Sequence, residues 1–281
     1  MRVFRHAVVA AIVAVVAMVS SALPASAITG GEADGNRHPN VGLILFYQPD
    51  GRFRCSATLV SPTVVLTAAH CTKGTLGKTL VTFTSVIAEN PPAPFPTAAD
   101  PGKGYTAEEL AKAGYLSGTA GTHPQYSDFT DLDNWNDVGV IVLDKPVSGI
   151  TPAKMAPSRY LDGYEQPQLN KTIFTFVGYG TEVRKPVSGP QKPQPMSYPL
   201  QRRFATSPGQ KLTEQILQAN GNYNDTRGTG GTCFGDSGGP VFLNGYIVAV
   251  TSYGYTQNCR YLGGYQRVEI PVVEKWLETV G

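Results

Sequence analysis

Apolar positions in this chain come in short runs separated by turn-forming residues. The run at 41–47 has aromatic ends and is followed by Gln48-Pro49-Asp50-Gly51, a turn sequence. A second run at 53–60 completes a predicted hairpin. Further strands are predicted at 64–68, 79–88, 115–122 and 138–143, where Lys145-Pro146 closes the first half. The second half repeats the texture at 172–178, 200–206, 216–219, 241–243, 246–250 and 265–268, with Asn244-Gly245 as a hairpin turn. Two stretches break the pattern. Residues 89–104 are rich in Pro, Ala and Gly, and 185–195 carry repeated prolines, so both predict loops. Between them, Thr106 and Glu109 have capping-box spacing and predict a short helix in a surface insertion. At the end, apolar residues at 272, 273, 276, 277 and 280 follow Pro271 and form one helical face. Many short strands and one terminal helix imply an all-β sandwich or barrel, which periodicity alone does not separate. Residues 144–170, rich in Pro, Gly and Ser, are where a boundary between two halves is expected.

The N-terminus has a different character. Arg2 and Arg5 precede an apolar run at 8–19, and Ala25-Ser26-Ala27 supplies small residues for cleavage, so 1–27 is expected to be a secretory signal peptide. Its removal takes two arginines and no acid from 23 basic and 21 acidic side chains, leaving 21 of each. That balance argues against a nucleic-acid footprint or a polybasic membrane surface. No later run is apolar for long enough to cross a bilayer as a helix. Export also permits disulfides. The four cysteines allow three pairings, of which the local one, Cys55 with Cys71 and Cys233 with Cys259, is expected. No CxxC pair occurs, and three histidines remain after the leader, so no structural zinc is expected.

Three segments carry candidate chemistry. His70 ends Thr67-Ala68-Ala69-His70-Cys71, and Asp137 stands directly before the apolar strand at 138–143. Ser237 lies in Gly235-Asp236-Ser237-Gly238-Gly239-Pro240, where glycines allow a tight turn and close approach of a ligand. Asp128, Asp131 and Asp133 are rivals of Asp137, but none of them directly precedes the apolar strand. His38 and His123 each precede a proline and lack such a neighbouring string. Together with Ser252-Tyr253-Gly254 and the 263–268 segment, these strings resemble the trypsin/chymotrypsin family of secreted serine proteases. The resemblance runs from Ile28 to the terminal helix and is weakest at 89–118 and 183–200. The order His, Asp, Ser differs from that of α/β-hydrolases, whose Gly-x-Ser-x-Gly elbow the serine motif also satisfies.

The resemblance implies an all-β fold of two packed antiparallel six-stranded barrels with a C-terminal helix. Barrel one is expected at about 41–143, barrel two at about 170–270 and the helix at about 272–280, all within a peptidase domain at 28–281. It further implies a triad of His70, Asp137 and Ser237, with an oxyanion hole from the backbone of Gly235 and Ser237. Gly231 would form the pocket floor, with Thr232, Phe234, Gly254 and Gly263 around it. Ser252 and Tyr253 would pair with the substrate strand alongside Gly254. With no Asp at 231, the pocket is expected to take large neutral side chains such as Phe, Tyr, Leu or Met. Ile28-Thr29-Gly30-Gly31 resembles the family's mature N-terminus, so the Ile28 ammonium is expected to pair with Asp236. Since Ala27 abuts Ile28, signal-peptide removal would itself create that terminus. No metal or organic cofactor is implied. The expected partners of this secreted monomer are protein or peptide substrates.

Overall fold

A computed structural model describes residues 28–88, 93–183, 196–222 and 224–280. The segments expected to be a leader (1–27) and a proline-rich loop (185–195) lie outside the described residues. Six strands form the first barrel: β1 (Val41–Gln48), β2 (Gly51–Ser61), β3 (Val64–Thr67), β4 (Leu76–Thr82), β5 (Leu116–Thr122) and β6 (Gly139–Leu143). They close in the order β1-β2-β3-β6-β5-β4. The second barrel consists of β7 (Ile173–Gly178), β8 (Arg203–Leu212), β9 (Ile216–Asn220), β10 (Pro240–Leu243), β11 (Tyr246–Gly254) and β12 (Leu262–Arg267). Its order, β7-β8-β9-β12-β11-β10, repeats that of the first. Closure leaves neither barrel with a long open edge. The fold is thus all-β, as expected, and the helix α2 (Pro271–Leu277) ends it.

Each barrel encloses its own apolar core. Ile44, Phe46, Ala57, Leu59, Val81 and Ile141 fill the first, and Phe174, Phe176, Leu217, Val241, Val248 and Tyr265 fill the second. A third cluster includes Leu66 and Val140 of barrel one, Val250 of barrel two, and Val273 of α2. Burying this shared face fixes the cleft between the barrels, which is where the site lies.

Three local expectations need correction. The strand predicted at 79–88 is two strands: β4 stops at Thr82, and Val86–Ala88 pairs with Leu200–Gln201 instead. The strand predicted at 200–206 is likewise interrupted, with β8 starting at Arg203 and running on to Leu212. The insertion after residue 92 is more than a surface decoration. Its Ala98, Tyr105 and Leu110 are buried against Leu43, Leu45 and Tyr47. This explains why 41–47 reads as one continuous apolar run: β1 is covered on both faces. The predicted capping box of Thr106 and Glu109 is formed at the start of α1 (Ala107–Lys112).

Candidate active site

Turn chemistry places each candidate residue at a strand end facing the cleft. His70 lies in a single 3₁₀ turn, Ala69–Cys71, directly after β3, and the Cys55–Cys71 disulfide ties this turn to β2. Asp137 precedes β6, which pairs with β3 through Thr67 and Gly139, so the pairing brings the two residues together. Asp137 is fully buried, and its carboxylate accepts from the His70 amide at 2.9 Å. It also meets His70 Nδ1 at 2.8 Å and accepts from Ser252 Oγ at 2.6 Å. A fourth member extends the chain, since the Trp135 indole donates to Ser252 Oγ at 2.9 Å. A hydroxyl that accepts one hydrogen bond becomes a better donor in the next, so Trp135 strengthens the bond from Ser252 to Asp137. Gln266 accepts from the Asp137 amide at 3.0 Å. The rivals lie elsewhere: Asp128 pairs with Lys73, and Asp131 accepts from the Asp133 and Asn134 amides. His38 pairs with Asp34, and His123 meets the Val272 carbonyl.

Ser237 sits in a turn that glycine alone accommodates. Gly235 and Gly238 have φ values of 92° and 73°. A Cβ on Gly238 would lie 2.0 Å from Thr67 Oγ1 and 2.6 Å from the Ser56 carbonyl. The Ser237 carbonyl accepts from the Ser56 amide at 2.8 Å, and the Gly238 amide donates to the Thr251 carbonyl at 2.8 Å. Ser56 holds the next turn as well. Its hydroxyl donates to the Gly235 carbonyl and accepts from the Tyr179 amide, both at 2.9 Å. Strand alternation explains its reach: Cys55, Ala57 and Leu59 point into barrel one, so Ser56 faces barrel two. No hydrogen bond joins Ser237 Oγ to His70 among the described residues, though both line one cavity. Such bonds are often long in unliganded enzymes and tighten when substrate binds.

That cavity has a volume of about 400 Å³. Thr232, Phe234, Ser252, Tyr253, Gly254 and Gly263 line it. Gly231 does not. A Cβ on Gly231 would lie 2.4 Å from the Cα of Gly221, which does line the cavity. Tyr265 is fully buried and also lines the cavity, with its hydroxyl 3.1 Å from Thr232 Oγ1. No Asp or Glu lines the cavity among the described residues. The Cys233–Cys259 disulfide braces its rim. Beyond it, Phe129 lies 5.5 Å from the His70 ring and leads through Trp135 and Tyr253 to Tyr255, each ring within 5.5 Å of the next. Pairing between β10 and β11 ends at Val250, so Ser252–Gly254 has one edge open to an added strand.

Asp236 is fully buried and accepts from the Gly180 amide at 2.7 Å and the Cys233 amide at 2.8 Å. Burial pushes it up to about 7, opposed by those amides and by the charge of Arg54. Ile28 is also fully buried, with a φ of 61° that a β-branched residue adopts only under strain. Thr29 bridges to Gly231, but no hydrogen bond joins Ile28 to Asp236 among the described residues. The only group of three metal-ligating residue types among the described residues is Cys55, His70 and Cys71, whose two sulfurs are bonded to each other. Ser56, Trp135 and Gly221 were not marked by the motifs, and Tyr265 lies in the 263–268 segment without a role assigned to it. The signal for Ser56 and Trp135 was proximity alone, one residue after Cys55 and two before Asp137.

Two antiparallel barrels with His70, Asp137 and Ser237 gathered at their cleft define the trypsin-like class of fold. The solved structure of HL collagenase shares that fold, with a TM-score of 0.59 over 91% of this chain and 96% of that one, at 17% identity. The family model described as Trypsin matches residues 27–277. A trypsin of Saccharopolyspora erythraea is 28% identical over 235 residues, covering 81% of this chain and 86% of its own length. Glandular kallikrein of Sus scrofa is 29% identical over 234 residues, covering 82% and 85%. The chain belongs to the trypsin family and is a serine-type endopeptidase.

Proposed function

We propose that this protein cleaves peptide bonds through an acyl-enzyme on Ser237, outside the cell, after removal of residues 1–27. The observation that carries this reading is the bonded series Trp135, Ser252, Asp137 and His70, which ends at the cavity where Ser237 lies. His70 takes the Ser237 proton as Oγ attacks the scissile carbonyl, and later delivers it to the leaving amine. Asp137 holds the ring in the tautomer with Nδ1–H and stabilises the imidazolium. The amides of Gly235 and Ser237 receive the developing oxyanion, and the Ser56 bond to the Gly235 carbonyl holds that turn in place. The substrate adds a strand along Ser252–Gly254 and places one side chain in the cavity. The enzyme acts as a monomer on proteins or peptides.

Six Phe and Tyr rings and three glycines help to line the cavity, and no carboxylate does so among the described residues. Large neutral side chains are therefore preferred on the acyl side of the cleaved bond. Gly221 and Tyr265 shape the inner end, in place of the floor first assigned to Gly231. In a peptide-library profile of the mature protein, cleavage after Phe, Tyr, Leu or Met is expected to exceed cleavage after Lys or Arg by about tenfold or more. A profile dominated by Lys and Arg would refute the preference. No cleavage of any peptide would refute the proposed function itself.

A further inference from the structure

The alternation that turns Ser56 toward barrel two does the same for Arg54, one step nearer the rim of β2. Its Nε lies 3.1 Å from the point where a Cβ on Gly235 would sit, so the guanidinium stem passes directly beside the proposed oxyanion turn. Arg54 is half-buried, and its backbone pairs with Leu45 in the barrel, yet its guanidinium forms no hydrogen bond or ion pair among the described residues. Other arginines in similar or deeper burial are matched: Arg202 bonds Asp34, and Arg267 bonds Glu269 and Asp162. Burial disfavours the charged form of Arg54, while the charge of Asp236 favours it. Asp236 gives it long-range compensation but spends its own hydrogen bonds on Gly180 and Cys233. Phe234, next to Gly235, is exposed. A partly desolvated guanidinium without a hydrogen-bonding partner suits a carboxylate arriving with a ligand.

Position decides which part of the ligand arrives there. The acyl segment occupies the cavity and the open edge at Ser252–Gly254, whose residues come mostly from barrel two. Arg54 lies on the other flank of Ser237, on the barrel-one strand whose Ser56 amide bonds the Ser237 carbonyl. The departing segment leaves over this flank. We infer that Arg54 reads an acidic side chain at the first or second residue beyond the cleaved bond, so that the enzyme selects for acid on the leaving side.

This rests on the proposed peptidase reading, and the test separates the two. Quenched fluorescent peptides share one acyl half ending in Phe and carry Glu, Gln or Lys at the first or the second leaving-side position. The protein starting at Ile28 is expected to cleave the Glu peptide about five- to tenfold faster than the Gln peptide at one of those positions, with Lys slowest. The preference should shrink as salt is raised. Arg54→Gln should erase the ratio, and Arg54→Glu should reverse it in favour of Lys. Equal rates for the three wild-type peptides would overturn the inference while leaving the peptidase reading intact. A uniform fall in Arg54→Gln with the Glu-to-Gln ratio preserved would also overturn it, and would make Arg54 a counter-charge for Asp236 alone. No cleavage of any of these peptides would overturn both.

Discussion

Ser237→Ala is expected to lower kcat/KM for peptide hydrolysis by about 10⁶-fold, the scale seen when a nucleophile is removed from such a unit. The fold should survive, because what holds this turn is backbone. The Ser237 carbonyl bonds the Ser56 amide, and the Gly238 amide bonds the Thr251 carbonyl; neither uses the hydroxyl. Unchanged thermal unfolding with lost turnover is the expected pair of results. His70→Ala should be about as inactive, since base and nucleophile act together, and the double variant should be little worse than either single one. Independent, additive losses would mean that the two residues do not share a step. Asp137 can be expected to matter nearly as much, because it bonds both the ring and the amide of His70.

The second large effect concerns the N-terminus. A protein starting at Ile28 should be active, and one with a short uncleavable extension before Ile28 should be about a hundredfold slower or worse. In the intact chain Ile28 carries a peptide nitrogen, and among the described residues Asp236 is buried with two amides and the charge of Arg54 to compensate it. An unpaired buried carboxylate costs several kcal/mol, and a free ammonium at Ile28 would remove that cost. It would also free Ile28 from its left-handed backbone, since φ ceases to be defined once the preceding peptide bond is gone. The pH dependence follows with a definite sign. In the extended form, Asp236 is raised from 3.8 to about 7, so the folded state holds its proton more tightly than the unfolded state. That contribution is fully present below pH 3.8 and is lost as pH rises through about 7, so the extended form should lose stability across that window. In the form starting at Ile28, pairing should remove this loss. There the amine, ordinarily at about 7.7–8, is raised by Asp236, so its contribution is complete below that value and fades as pH rises through the higher folded one. Equal specific activity from an intact extended form, verified by N-terminal sequencing, would show that Ile28 is no switch.

Much of this was legible in sequence because it depends on local chemistry. Asn244-Gly245 and Gln48-Pro49-Asp50-Gly51 turn where their φ requirements say they should. His70, Asp137 and Ser237 each abut a strand whose pairing can be guessed from its apolar run. What escaped was set by contacts far apart in the chain. The break in the strand predicted at 79–88 arises because Val86–Ala88 finds a partner at Leu200–Gln201, which no local pattern announces. The close packing of Gly231 against Gly221 joins residues ten apart, and counting residues from Ser237 does not reveal it. Ser56 and Trp135 look like an ordinary strand serine and an ordinary loop aromatic. Their roles come from hydrogen bonds to residues 179 and 117 positions away.

The central claim, that Ser237 is the nucleophile activated by His70, is tested most directly by covalent labelling. The protein starting at Ile28 is treated with a small phosphonyl fluoride, and its intact mass and digested peptides are measured. One phosphonyl adduct per chain, located on Ser237 and formed in step with loss of peptidase activity, is the predicted result, with labelling of His70→Ala slower by orders of magnitude. Full inactivation with the adduct on another residue, or undiminished peptide cleavage by protein fully labelled at Ser237, would contradict the account.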